Sequence, residues 1–154
     1  MMTRSKVELD YYLSNAIEEA RKAEKKGEIP VGAIIVYKEE IIGRGHNTVI
    51  SSNSISSHAE INAINQASTF LGNYRLIDCD IFISLEPCFM CCMAIIHARI
   101  SNLYFGLRQP KTGAVVSVDN FFDHFSHNHR VNCFESTDLI ESKELLTNFF
   151  KSRR

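Results

Sequence analysis

The chain has no surplus of either charge. Its 17 Lys and Arg face 18 Asp and Glu, for a formal net charge of −1. This argues against a broad basic field for sequence-blind polyanion binding, but leaves room for a small local contact with a folded RNA loop. No stretch approaches the roughly 18 apolar residues needed to span a bilayer, so no membrane partner is expected. The segment Met1 to Asp10 is polar and mixed in charge and lacks the apolar run of a signal peptide, which makes the cytoplasm the expected compartment. Five cysteines, an odd count, argue against a disulfide framework and fit thiols kept reduced. Only three prolines occur, and no repeat, low-complexity tract or Pro/Gly/Ser-rich linker divides the chain. The serine-rich stretch Ser51 to Ser57 is short enough to be one loop. Residues 1–154 therefore read as a single domain. With 45% apolar residues, a core forms without disulfide or metal staples, so a bound metal would serve chemistry rather than the fold.

What is present is a regular alternation of elements. Apolar residues at Leu9, Leu13, Ala16, Ile17, Ala20 and Ala23 predict a helix over Lys6 to Lys26, with Gly27 closing it after a cationic last turn. Val31 to Tyr37 reads as a buried strand, and Ile41 to Val49 as its hairpin partner after the turn Lys38-Glu39-Glu40. A helix is predicted over His58 to Leu71, closed by Gly72, then a strand over Asp80 to Leu85. A second such pair follows, with a helix from Cys88 to Arg99 after Pro87 and a strand over Leu103 to Gly106. Asp119 to His127 is predicted helical, Arg130 to Phe134 a strand, and Asp138 to Arg154 a final helix. Five strands with helices between them predict an α/β fold, a three-layer α/β/α sandwich around a central mixed sheet. Sites in such sheets lie beyond the carboxyl ends of strands, at the helix N-termini that follow.

Two motifs fall there. One is His58-Ala59-Glu60 and the other is Pro87-Cys88-Phe89-Met90-Cys91. Cys88 and Cys91 are three residues apart at a helix start, so their sulfurs share a face. The helix N-terminus favours their thiolates. Two Cys and one His make three ligands and leave a fourth tetrahedral position open, the pattern of a catalytic rather than a structural zinc site. A water there would lose its proton near neutral pH. Glu60 is not counted as a ligand. Two residues along a regular helix point to nearly opposite sides, so His58 and Glu60 can serve one site only within the first turn. H-x-E alone is weak. P-C-x-x-C is sharper, because three Pro and five Cys give roughly 0.003 chance occurrences in this chain. A redox pair would leave His58 and Glu60 without a task, and a structural site would want a fourth protein ligand. Cys92 is turned about a hundred degrees from Cys91. Cys79, Cys92 and Cys133 read as small buried residues.

Together the motifs resemble the known signature of zinc-dependent nucleobase deaminases, H-x-E followed by P-C-x-x-C. The resemblance extends further. The segments Ile29 to Ala33, Gly43 to Asn47, His58 to Ile61, Asn73 to Leu76, Leu85 to Cys91, Ile96 to Ile100, Lys111 to Gly113, Asn128 to Arg130, and Phe149-Phe150 with Arg153 are similar, in order and interval, to the bacterial tRNA-specific adenosine deaminases. These convert the wobble adenosine of an anticodon to inosine. The resemblance implies a cytidine-deaminase-like fold with a five-stranded mixed sheet, a homodimer and one Zn2+ per subunit. By the motif, His58, Cys88 and Cys91 are the zinc ligands. Glu60 is the acid/base that moves protons from water to the ring nitrogen and then to the leaving ammonia. Asn47 would hydrogen-bond the base, the Ala59 N–H and the residues around Leu85 to Pro87 would line the pocket, and Lys111, Asn128, Phe149, Phe150 and Arg153 would contact the tRNA anticodon loop by charge and stacking.

Other readings stand beside these. The second reading of Asn47 is a loop cap, that of Lys151 to Arg154 a solvated helix end, and that of one of Phe149 and Phe150 a core residue. Three positions depart from the family pattern. Ser54-Ile55-Ser56-Ser57 replaces Asp-Pro-Thr-Ala, Gln109 replaces an Asp expected near a neighbouring sugar, and Cys92-Met93 replaces small residues. The alternative activity is that of a free-base or nucleoside deaminase of guanine or cytosine type. A catalytically silent RNA-binding subunit is a third reading, against which the carboxylate of Glu60 stands.

Overall fold

The computed structural model describes residues 4–124, 126–136 and 140–152, with the side chains of 140 and 141 left aside. Helix α1 spans Lys6–Lys25. Ser5 caps it by accepting a hydrogen bond from the Glu8 N–H at 3.2 Å, which satisfies one of the free donors of the first turn. Strands β1 (Gly32–Tyr37) and β2 (Glu40–His46) form the predicted hairpin, followed by a one-turn helix α2 (Val49–Ser52). Next come α3 (Ala59–Leu71), β3 (Cys79–Leu85), α4 (Phe89–His97) and β4 (Asn102–Leu107), then a 3-10 turn at Phe121–Asp123, β5 (Asn132–Glu135) and α5 (Ile140–Ser152).

The described residues form a five-stranded sheet in the order β2-β1-β3-β4-β5. β1 runs antiparallel to β2 and β3, while β3, β4 and β5 are parallel. The sheet is therefore mixed, and β5, whose direction the sequence left open, runs with β4. Because side chains alternate along a strand, each strand feeds two cores. Ala33, Ile35, Ile81, Ile83, Leu103 and Phe105 face Ala59, Ala63, Ala67, Cys92 and Ile95 of α3 and α4. Ile34, Val36, Phe82 and Tyr104 face Tyr12 and Leu13 of α1, and α1 in turn meets Leu145 of α5. This is the three-layer sandwich. Phe82 and Tyr104 stack at 4.6 Å between centroids, with Phe134 next in the row at 4.9 Å from Tyr104. Each such contact is worth about 1 kcal/mol beyond area burial.

The topology places two helix starts at one end of the sheet. β2 and β3 are both antiparallel to β1, so they point the same way, and α3 and α4 begin beyond their carboxyl ends. α3 lies close on the hairpin. A Cβ at Gly45 of β2 would collide with the Ala59 carbonyl and the Ala63 nitrogen, so glycine sets the depth at which α3 docks.

Three expectations need correction. β2 ends at His46 rather than Val49, because the buried Glu28 carboxylate accepts the N–H groups of Ile50 and Ser51 at 3.0 and 2.8 Å and starts α2 there. Among its described residues, the segment Asp119 to His127 holds only a 3-10 turn at Phe121–Asp123, and the His127 ring bonds back to the Phe121 carbonyl at 2.7 Å. Cys133 is half-buried rather than buried. Among the described residues, no helix is long and apolar enough to cross a membrane.

Candidate metal centre and base pocket

His58 and Cys88 occupy equivalent places. Each is the N-cap of its helix with extended backbone, φ −74° and ψ 157° for His58 and φ −78° and ψ 175° for Cys88. Neither side chain caps its own helix; both turn to the space between the two helix starts. The spacing problem of His58 and Glu60 is resolved this way, since the histidine stands outside the helical path that Glu60 follows. Cys91, in the first turn of α4, is fully buried. His58 Nδ1 lies 3.7 Å from Cys88 Sγ and 3.5 Å from Cys91 Sγ, and the three ligand atoms lie within 4.8 Å of one another. Zinc bonds of about 2.0–2.1 Å to nitrogen and 2.3 Å to sulfur, at tetrahedral angles, require N···S separations of about 3.6 Å. The cluster has the spacing and donor set of a zinc site.

The electrostatics agree with the chemistry. A hydrogen bond from Cys91, aided by His58 and opposed by burial, draws the Cys88 thiol down to about 4. The same bond and burial push the Cys91 thiol up. The bond to Cys88 raises His58, against burial. Glu60 is buried, 4% exposed, and burial raises its carboxyl above the usual range while it also contacts Cys91. A carboxyl raised in this way is poised to exchange protons.

The cluster lies at the inner end of a cavity of about 290 Å3, near the lower bound for small-ligand pockets. Buried Glu60 and Glu86 mark its depth, Val31, Val49 and Leu85 form apolar walls, and Ile29, Ile50 and Phe150 stand at its exposed rim.

The model of the cytidine and deoxycytidylate deaminase zinc-binding region matches residues 6–107. The chain belongs to this family. The tRNA-specific adenosine deaminase of Aquifex aeolicus (strain VF5) is 43% identical over 145 residues, covering 94% of this chain and 95% of that protein. A solved structure from a study of A-to-I editing by tRNA:A34 deaminases at the wobble position of transfer RNA matches with a TM-score of 0.85 at 38% identity, over 89% of this chain and 99% of that one. The guanine deaminase of Bacillus subtilis matches with a TM-score of 0.63 at 32% identity, over 94% and 92%.

In this deaminase fold the sequence candidates divide into two groups. His58, Glu60, Cys88, Asn47 and Phe150 all line the cavity, and Cys91 completes the cluster behind it. Asn47 is buried and its Oδ1 accepts the Ala59 N–H at 2.9 Å. That bond makes Asn47 a cap of α3 as well as a pocket residue, and it leaves the Ala59 N–H engaged by protein. Lys111 and Asn128 are exposed and stand outside the lining, although Gln109 and Thr112 beside Lys111 belong to it. Phe149 is half-buried and meets Phe150 edge-on at 5.4 Å. Arg153 lies outside the described residues.

Sequence reasoning placed Glu86 in the pocket wall but missed its role, and it missed Glu28 altogether. Glu86 accepts the N–H groups of Gln109, Val115, Val116 and Ser117 at 2.8–3.1 Å, together with the Ser117 hydroxyl. Burial would raise its carboxyl, but these donors outweigh burial and hold it below the usual range. Gly113 is needed beside it, since a Cβ there would overlap the Glu86 carboxylate. Glu28 is held low by the Ile50 and Ser51 N–H groups in the same manner, again against burial. No local signal reveals either role, because the donors lie more than 20 residues away along the chain.

Proposed function

We propose that this chain is a tRNA-specific adenosine deaminase that hydrolyses the wobble adenosine of an anticodon to inosine and ammonia. The observation that carries the reading is the convergence of His58, Cys88 and Cys91 beside buried Glu60, at the inner end of a cavity rimmed by the C-terminal helix. The assignment of adenosine in RNA is supported by the 43% identical relative and by the higher TM-score of the tRNA:A34 deaminase, 0.85 against 0.63 for the guanine deaminase.

His58, Cys88 and Cys91 would hold a zinc ion, which would supply the Lewis acidity that makes water nucleophilic near neutral pH. The chain's own residues do the rest. Glu60 accepts a proton from the attacking water and delivers it to N1 of the adenine as the new C–O bond forms at C6. It then carries the remaining water proton from the new C6 hydroxyl to the exocyclic nitrogen, the C6–N bond breaks as C6=O forms, and ammonia leaves, with one water consumed. Asn47 has its Oδ1 tied to Ala59 and so offers Nδ2 to an acceptor on the base edge. Val31, Val49 and Leu85 exclude bulk water from the ring. Phe150, 47% exposed at the rim, is placed to stack on a splayed base. In this reading Lys111, Asn128, Phe149 and Arg153 add phosphate and stacking contacts to the anticodon loop. Extrusion of the adenosine costs little there because loop bases are already unpaired.

The same reading takes the whole chain as one domain acting in the cytoplasm as a homodimer with one zinc per subunit. Phe89, Met90 and Met93 leave an apolar face of α4 exposed, which supports a subunit contact.

The test is an ammonia-release and inosine assay of zinc-loaded protein on an anticodon stem-loop bearing wobble adenosine, beside free guanine, cytosine and adenosine. Inosine in the RNA and no release from the free compounds is expected. Release from guanine with none from the RNA would replace this reading with the free-base alternative.

A further inference from the structure

Asn62 sits in the first turns of α3, where its residue type is poorly suited, because a short amide competes with helical backbone bonds and lowers propensity relative to alanine. Its side chain is nevertheless half-buried, and its amide nitrogen is fully engaged. Nδ2 donates to the His46 carbonyl at 2.8 Å and to Thr48 Oγ1 at 3.1 Å, and it lies 3.5 Å from the Ser57 carbonyl. None of these oxygens belongs to α3. The first two residues bracket Asn47, and the third immediately precedes His58. Around this point, the Thr48 N–H donates to the Ser57 carbonyl at 3.0 Å, closing the serine-rich loop at its base, and Asn47 Oδ1 accepts the Ala59 N–H. The Asn62 N–H itself donates to the His58 carbonyl at 3.0 Å. One amide thus joins the end of β2, the base of the loop and the start of α3.

We propose that Asn62 is a positioning residue, which holds Asn47 in register with His58 and Glu60 by clamping the two ends of the Thr48 to Ser57 loop to α3. Its catalytic consequence rests on the deaminase reading above, but the clamp is a property of the fold and can be measured without turnover. Within the loop, α2 is tied to the Glu28 carboxylate, but the stretch that follows, residues 53–57, has neither proline nor a packed apolar anchor: Ile55 is 85% exposed and its neighbours are asparagine and serine. Its conformational freedom must be removed at its ends. Without Asn62, Asn47 keeps its backbone bond to the Val31 carbonyl at 3.3 Å and its cap on Ala59, and the loop keeps the Thr48 to Ser57 bond and the Glu28 tie at α2, but the side-chain link from α3 to both ends of the loop is lost. A misplacement of the Asn47 amide by about 1 Å can lower turnover by up to about 10²-fold.

The test compares Asn62→Ala, Asn62→Asp and a control, Asn65→Ala, on the exposed face of the same helix. Two readouts are taken on zinc-loaded protein: amide hydrogen exchange of the 47–58 segment by mass spectrometry, and kcat/KM on the anticodon stem-loop. Asn62→Ala is expected to speed exchange in 47–58 about tenfold or more, leave β3 and α1 unchanged, and lower kcat/KM about tenfold with zinc content retained. The helix itself should not suffer, since alanine is the better helix former. Asn62→Asp keeps the size, loses the donor and sets a carboxylate against two carbonyls, so both effects should be larger. Asn65→Ala should match the wild type. Unchanged exchange in Asn62→Ala overturns the clamp, and faster exchange with a wild-type kcat/KM overturns the positioning role. Should the wild type itself make no inosine, the deaminase reading fails while the exchange data still decide the clamp.

Discussion

Removing the charge of Glu86 while keeping its shape should loosen the wall that carries Gln109 and Thr112. In Glu86→Gln the oxygen that replaces Oε2 can still accept from Val115, Val116 and Ser117, now at 3.0, 2.8 and 3.0 Å. The new amide nitrogen then faces the Gln109 N–H, which at 3.1 Å has its acceptor replaced by a donor. The Ser117 hydroxyl can turn round and accept instead. The charge-assisted bond to the part-buried Gln109 N–H is therefore lost, worth roughly 1.5–3 kcal/mol, and the three remaining bonds weaken with the charge by roughly 1 kcal/mol in all. A total of about 3 kcal/mol follows, or roughly 6–12 °C in Tm for a chain of this length. Glu86→Ala takes the acceptor from four backbone donors, one buried and three part-buried, and should cost about 5 kcal/mol. Ser117→Ala removes only the hydroxyl donor and should cost about 1 kcal/mol. The assay is urea and thermal unfolding of the three variants beside wild type, with KM for the stem-loop as a second readout, expected to rise in the order Ser117→Ala, Glu86→Gln, Glu86→Ala. A Glu86→Gln protein melting within about 2 °C of wild type would refute the idea that this carboxylate organises the 109–117 loop.

Glu60→Ala should lower kcat by about 10²–10⁴-fold while zinc content stays near that of the wild type, because the carboxylate moves protons and holds no metal; metal analysis beside the inosine assay checks both halves. Phe150→Ala should raise KM for the stem-loop about tenfold with kcat and Tm nearly unchanged, as expected for lost base stacking at a half-exposed rim position, and equal losses in kcat would argue for a role in chemistry instead. Glu28 predicts an acid signature. Its folded-state carboxyl is held below the ordinary value of about 4.3, so it adds stability that is fully present above that pH and is lost as pH falls through the folded value. The stability gap between wild type and Glu28→Gln, measured by urea unfolding, should accordingly narrow below about pH 4.3, and a gap that stays constant down to pH 3 would contradict the assignment.

Much of this protein is written locally. The apolar spacing of α1, the hairpin of β1 and β2, and the starts of α3 and α4 follow from periodicity and punctuation that act over a few residues. The ligand types were equally legible, because a zinc-type donor set demands particular side chains at particular separations. The end of β2 was not. Val49 and Ile50 have strand-forming side chains, yet they begin a helical turn, because the Glu28 carboxylate takes the N–H groups of Ile50 and Ser51 from a distant part of the chain. The loop gathered by Glu86 was hidden for the same reason, its donors lying 23–31 residues away.

Sequence alone determined the reaction's inventory: which side chains could bind a metal, which could move a proton, and that the two motifs each precede a helix. Tertiary structure decided their convergence. The antiparallel placement of β1 between β2 and β3 brings two helix starts to one end of the sheet, and the extended backbone at His58 and Cys88 turns both side chains off their helices toward a common point. Local propensity acts over a few residues, whereas strand pairing and the buried bonds of Glu28, Asn62 and Glu86 act between segments that only the folded chain brings together.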